Sequence, residues 1–307
     1  MISRGDIIRP CCIVTSVNDH DKVSVMKKDM TKKQHYIPQF YLRRFTDEKG
    51  FLHIYDFNKQ RYFKTAPKDF GYENYLYETP LSKPDIIGEK FLLENHIEDI
   101  FAKYEGEFDT FLKKLDKICT PYQRKGVLIL HDDEKNVLRR FIANMFFRNP
   151  ITMERMNLNK VPDNFFEEDE KVQLNEGFGF NADELVVAAQ KKAMLTEEFE
   201  KNNIKSFVER IQNLDFTFLY SKHIPFITSS FPVIMGKDES FIHFPLSQYL
   251  SVHFENYPKS KEKNNRLAYV DDDVVDFCNR QQLKFIKKLK WCLIAPSKEI
   301  IDKYWET

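Results

Sequence analysis

The hydrophobic period of this chain shortens from helical to alternating near residue 214, and that switch limits the folds open to it more than any other feature. Between about residues 88 and 213, apolar side chains recur at three- and four-residue steps. Leu93, Ile97, Ile100, Phe101, Tyr104, Phe108, Phe111, Leu112 and Leu115 form the first run. Val137, Leu138, Phe141, Ile142 and Met145 form the second, and Leu185, Val186, Ala189, Ala193, Phe199, Ile204, Phe207 and Ile211 the third. One face of a 3.6-residue helix has that spacing. After Asp215 the period shortens: Phe216, Phe218 and Tyr220 alternate, and runs at 225–228, 241–244 and 250–254 follow between proline and glycine punctuation. Helices grouped in the middle with strands after them predict an α+β fold, an antiparallel or mixed sheet with a central group of long amphipathic helices, rather than alternating βαβ units.

The same spacing sets the expected boundaries. The first helix occupies about 88–119 and the second about 133–148. Pro150 ends that second helix, or residues 153–156 continue it past a kink. Residues 158–181, rich in Asn, Asp and Glu, read as a loop, and 182–213 as helical with a break at 202–203. A polar loop at 257–266 leads to a helix over 271–288 and a last strand over 291–295. Upstream, residues 51–64 read as a hairpin turning at 58–60, and 72–80 as aromatic and irregular. Residues 1–29 lack periodicity; they predict a flexible tail or a start placed too early, with an edge strand over 8–17 as the alternative. No Gly/Ser- or Pro-rich linker divides the remainder. Residues 30–307 are therefore expected to be one domain, with a helical part over about 88–213 and a strand-rich part over about 215–295.

Composition removes several functions. The chain has 307 residues, 42% hydrophobic and 14% aromatic, which is enough to bury a large core and is unlike a disordered chain. No apolar run reaches the ~18 residues of a spanning helix, so no membrane partner is expected. Five cysteines, an odd number without a CxxC pair, read as reduced thiols in a cytoplasmic protein. The 47 basic and 47 acidic residues cancel, which removes the general basic footprint of a duplex binder. Two local basic runs survive: Lys27, Lys28, Lys32, Lys33, Arg43 and Arg44, then Lys284, Lys287, Lys288 and Lys290. On a shared side they would make a surface for RNA, DNA or a nucleotide. With only nine glycines there is no Walker loop and no dinucleotide fingerprint, so any phosphate must be held by side chains. No GxSxG elbow and no convincing metal-nuclease set occur. His243 and His253 have no third ligand spaced to help, so neither a metal nor a cofactor is expected. Arg124 and His131 have the Arg-x6-His spacing of HEPN ribonucleases, but Lys125 stands where a polar Asn or Asp would be needed.

The densest motif is Gln34-His35-Tyr36-Ile37-Pro38-Gln39-Phe40-Tyr41-Leu42-Arg43-Arg44-Phe45. It resembles the opening of the DUF4238 family, a bacterial family named only as a domain of unknown function. Phe147-Arg148-Asn149-Pro150 is similar to that family's helix-ending Arg-x-Pro element. Residues 225–233 resemble its Phe-Ile-Thr-Ser-Asp-x-Pro strand, Phe244-Pro245-Leu246-Ser247 its Pro-Leu-Ser segment, and Asn279 its late helical Asn. The chain departs from the pattern at Ser230-Phe231, where the resemblance implies an Asp. The resemblance spans roughly 31–295 and implies no activity, cofactor or partner.

The chemistry of the residues supplies the candidates. His35 can act as a general base, with Arg44 and Arg148 as charge stabilisers. Arg43 can clamp an anion, and Tyr41, Ser229, Ser247 and Asn279 can bind substrate. Together they suggest metal-independent phosphodiester cleavage by an effector that acts on nucleic acid or nucleotides, with defence against phage as a setting. Each residue has a structural alternative: His35 bonding a carbonyl, Arg148 capping its helix, Ser229 and Ser230 in a turn. The rival readings are a non-enzymatic module that binds a protein partner or ligand, and a small-molecule hydrolase or transferase.

Overall fold

The computed structural model describes residues 30–82, 90–92, 94–119, 126–127, 130–163, 165–178, 181–197, 203–236, 241–255 and 266–305. The expectations for residues 1–29, including Cys11, Cys12, Lys27 and Lys28, lie outside them, as does Arg124. From Thr31 onward the chain forms one compact unit.

Strand β1 (Lys33–His35) leads through Pro38 into the short helix α1 (Gln39–Leu42) and a 3-10 turn at Arg43–Phe45. The hairpin follows as β2 (Leu52–Asp56) and β3 (Arg61–Thr65), then β4 (Tyr72–Asn74), β5 (Thr79–Pro80) and β6 (Phe91–Leu92). The helical part comprises α2 (His96–Ile118), α3 (Asp132–Phe147), α4 (Pro150–Arg155), α5 (Glu168–Phe178), α6 (Ala182–Leu195) and α7 (Asn203–Ile211), with the short strand β7 (Gly126–Val127) between α2 and α3. Strands β8 (Asp215–Ser221), β9 (Thr228–Ser229), β10 (Ile234–Met235), β11 (Phe241–Pro245), β12 (Leu250–Glu255) and β13 (Arg266–Val270) come next. Helix α8 (Asp272–Leu289), strand β14 (Cys292–Ala295) and helix α9 (Lys298–Trp305) close the described chain.

The fold is α+β with mixed sheets. A six-stranded sheet has the order β10-β11-β12-β8-β13-β7, antiparallel except where β13 runs parallel to β8. A second, four-stranded antiparallel sheet has the order β3-β2-β14-β9. The expected strand-rich part is thus split: β9 and β14 leave it and join the hairpin from the other end of the chain. Further differences fall where the sequence signal is weak. Helix α5 replaces an expected loop; its residues carry no apolar stripe, and Lys171 and Asn175 tie it to α6 through Asp183 and the Ala182 amide, at 2.6 and 2.7 Å. Strand β13 replaces the end of a polar loop, and α9 follows the strand expected to be last. The first long helix starts at His96, not 88, because Phe91–Leu92 pair with Thr79–Pro80.

Elsewhere the local rules hold. Asn149 is extended, as the residue before a proline must be, and its side chain caps α4 by accepting the Ile151 amide at 3.1 Å. Pro150 ends α3 and begins α4. The apolar stripes of α2 and α3 meet the large sheet in an aromatic cluster. Phe108 lies 4.8 Å from Phe141, Phe141 meets Phe244 edge-on at 5.5 Å, and Tyr41 stacks on Phe244 at 5.4 Å. Each such pair adds about 0.5–1.5 kcal/mol to the area buried. Most of the described phenylalanines serve here and in two smaller clusters.

Candidate functional site

Gly71 positions the start of the densest motif. It adopts φ +72°, and its carbonyl accepts the amides of Tyr36 and Ile37 at 2.8 and 3.1 Å. A Cβ at Gly71 would come within 3.1 Å of the Ile37 Cβ, so the close approach needs glycine. This contact, with the β1–β4 pairing, holds His35 opposite Tyr72, their rings 5.4 Å apart. His35, Phe40 and Arg43 then line a cleft of about 380 Å³ together with Glu98, Glu105 and Asp109 of α2. Glu98 and Glu105 are seven residues apart, two helical turns, and so share a face.

Arg148 forms the sealed back of this region. Its side chain is 2% exposed and ion-paired to Glu105 at 2.9 Å. Its guanidinium lies 4.2 Å from the Phe101 ring centroid, reaches the Tyr77 hydroxyl at 3.3 Å through Nε, and donates from Nη2 to the His35 carbonyl. The Tyr77 hydroxyl also donates to the His35 carbonyl, at 3.2 Å. Arg148 is therefore held charged, but its donors are already engaged by protein. It orders the cleft rather than clamping an anion.

Two groups in the cleft have unusual proton affinities. Burial pushes the Glu98 carboxyl up to about 7, although the nearby Arg148 acts in the opposite direction. Glu98 also lies in the first turn of α2, where the helix dipole favours a carboxylate by ~0.3–1 kcal/mol. Desolvation outweighs both, and Glu98 Oε2 is buried without a hydrogen-bond partner. His35 is shifted the other way. Burial, then the Arg148 charge, lower its imidazole to about 4, while a hydrogen bond to the Lys68 backbone raises it. Its Nε2 is buried and unpartnered, so Nδ1 makes the bond to Lys68 and Nε2 carries the lone pair of a neutral ring. Glu105 is neutralised by Arg148, and Asp109 by Lys113 at 2.6 Å. Arg43 is exposed and makes no ion pair among the described residues. With Glu98 protonated, the cleft carries one uncompensated positive charge.

The other candidates lie elsewhere. Arg44 grips Asp116 with both terminal nitrogens and the Leu246 carbonyl with Nε at 2.7 Å, joining the motif to α2 and the large sheet. Tyr41 is fully buried; its hydroxyl donates to the Pro245 carbonyl and shares a hydrogen bond with Thr228, both at 2.8 Å. Ser229 is fully buried, donating to the Phe231 carbonyl at 2.7 Å and accepting from Gln282 at 2.6 Å. Asn279 accepts the Ile227 amide at 3.0 Å and donates to the Pro225 carbonyl and the Tyr304 hydroxyl, both at 2.9 Å. Asn149 donates to the Ser230 carbonyl at 2.8 Å. Ser247 accepts the amides of Tyr249 and Leu250 at 3.3 and 3.1 Å, an ordinary turn contact. Tyr41, Ser229, Asn149 and Asn279 thus belong to a sealed polar lattice beneath β9. Of the proposed substrate-binding residues, only Arg43 joins His35 in the cleft.

His243 and His253 face each other across β11 and β12 with rings 6.1 Å apart, and no metal-holding group of three or more His, Cys, Asp or Glu occurs among the described residues. Burial, then the His253 charge, lower His243 to about 3, so it packs as a neutral core ring. Cys119, Cys278 and Cys292 are free thiols raised by burial, most of all from desolvation. Of the four described cations of the first basic run, two are paired, Lys33 with Asp69 at 3.1 Å and Arg44 with Asp116.

Sequence reasoning missed Glu98, Glu105 and Tyr77. A signal for the two carboxylates existed: they interrupt the apolar face of α2 seven residues apart, either side of Phe101. No helix among the described residues is long and apolar enough to cross a membrane. No curated protein and no solved structure is detectably similar to the chain. A family model described as "Protein of unknown function (DUF4238)" matches residues 33–293, which include His35, Glu98, Arg148 and Asn279. The chain belongs to the DUF4238 family.

Proposed function

We propose that the cleft is a metal-independent acid–base site that cleaves a phosphodiester, with RNA or a nucleotide as the substrate class. One observation carries this reading: a carboxyl held near pH 7 and a neutral imidazole, each with an unpartnered buried atom, line the same open cleft. Between about pH 4 and 7 the two are in complementary forms, His35 able to accept a proton and Glu98 able to give one. In RNA, His35 Nε2 would take the 2′-hydroxyl proton as that oxygen bonds to phosphorus. Glu98 would protonate the departing 5′-oxygen as its bond to phosphorus breaks. Arg43 at the mouth would meet the phosphate charge. Free buried thiols suit a reducing cytoplasm, and RNA cleavage is chemistry that an effector of phage defence could use.

Cleavage of a fluorogenic ribonucleotide substrate in excess chelator, followed against pH, tests the reading. Activity should form a bell with limbs near 4 and 7, and Glu98→Gln should lower it by about 10²–10⁴-fold while the protein stays folded. Absence of cleavage at every pH, or full activity in both Glu98→Gln and His35→Ala, would leave the cleft without a catalytic role and favour a binding module.

A further inference from the structure

The second basic run behaves differently from the first. From Arg280 to Lys290 the chain holds five cations, Arg280, Lys284, Lys287, Lys288 and Lys290, and no carboxylate. All five are exposed, and none makes an ion pair among the described residues. Four lie on α8, and Phe277, Lys284 and Lys288 follow one another at seven- and four-residue steps along one face of it. Phe277 is 63% exposed, the most exposed of the large apolar side chains among the described residues, and Trp305 of α9, 42% exposed, lies beside Lys287, whose Nζ is 5.3 Å from the indole ring. The C-terminal dipole of α8 accounts for one or two such cations, since its influence fades within the last turn. It does not account for Lys284, nor for a bare phenylalanine two turns before it; Arg280 lies over the Tyr304 ring at 6.0 Å and interacts with the Asp276 charge.

We infer that the exposed face of α8, from Phe277 to Lys290, is a binding surface for single-stranded nucleic acid. The unpaired cations would track the phosphates, and the exposed ring would take a base by stacking. A lipid surface fits less well, because the apolar side of α8 (Val275, Cys278, Ile286) is buried in the fold and cannot enter a bilayer. The inference deepens the proposed function by naming how its substrate class is held, but it is read by binding and not by cleavage.

The test uses the full chain and a fluorescein-labelled oligothymidylate, which lacks the 2′-hydroxyl and cannot undergo the proposed cleavage. Anisotropy should report binding that weakens about 50-fold between 50 and 200 mM salt, as expected for roughly four single-strand phosphate contacts. Lys284→Glu combined with Lys288→Glu should weaken it by at least about tenfold, and Phe277→Ala by about tenfold, with unchanged melting temperatures because these side chains are exposed. Glu98→Gln should bind as the parent does, which separates this surface from the chemistry of the cleft. The inference is overturned if the oligomer does not bind at 50 mM salt. It is equally overturned if the Lys284/Lys288 variant binds unchanged, or if phosphatidylserine vesicles bind and the oligomer does not.

Discussion

Two polar regions of this molecule, one of neutral amides and hydroxyls and one of ionisable groups, do opposite things. Beneath β9, Tyr41, Ser229, Asn279 and Gln282 are at most 1% exposed, and most of their polar atoms meet a partner inside the protein. In the cleft, His35 and Glu98 are only partly buried, and each keeps one polar atom without a partner. A buried donor or acceptor left unmatched costs roughly 1–3 kcal/mol, so the lattice is a device for holding β9, α8 and α9 together. The cleft tolerates that cost at two atoms, and chemistry at those atoms is the simplest use for it. Residue type and side-chain exposure distinguish the two regions; satisfaction alone does not, since Gln282 Oε1 of the lattice is also buried without a partner.

The comparison can be broken most forcefully at Arg148, which closes the back of the cleft. Arg148→Met should destabilise the fold by about 3–5 kcal/mol in chemical denaturation, because Glu105 and the His35 carbonyl lose a buried charged partner. A loss under about 1 kcal/mol would mean that Arg148 is not the support described here. Asn279→Ala comes next, with a loss of about 3 kcal/mol, since it orphans the Ile227 amide, the Pro225 carbonyl and one contact of the Tyr304 hydroxyl.

At Glu98 the effect on stability is a gain rather than a loss, and its size depends on pH. The Glu98 carboxyl lies above its ordinary value, so folding favours its protonated form. The stability it contributes is complete below about pH 4.5 and is lost as pH rises through about 7. Glu98→Gln should therefore match the parent near pH 4 and exceed it near pH 8, by up to about 3 kcal/mol. His35 has the opposite sense: its contribution is complete above about 6.5 and is lost as pH falls through about 4. A Glu98→Gln protein less stable than the parent at pH 8 would place Glu98 with the lattice, not the cleft.

Much of the fold was legible in the spacing of apolar residues. The stripe from Ile97 to Leu115 and the alternation from Phe216 to Tyr220 both became regular elements. Strand β13 and helices α5 and α9 were not legible: α5 is too polar to show a period, and α9 buries only Ile301 and Tyr304. Nor could spacing show that β14 and β9 would join the β2–β3 hairpin, since pairing across most of the chain leaves no local pattern. The site was half visible. The motif around His35 drew attention to the right strand, but a string of residues cannot say which polar atoms will be satisfied. Arg44, Tyr41, Ser229 and Asn279 were candidates on the same footing as Arg43, and what surrounds them sets them apart.

The charge state of Glu98 is the direct test of this division. Selective ¹³C labelling of glutamate side-chain carboxyls, followed by NMR titration, should reveal one resonance that titrates near pH 7 and is absent from Glu98→Gln. If no glutamate resonance lost in that variant titrates above about pH 5.5, Glu98 is an ordinary carboxylate. The cleft would then lack the proton donor on which the account depends.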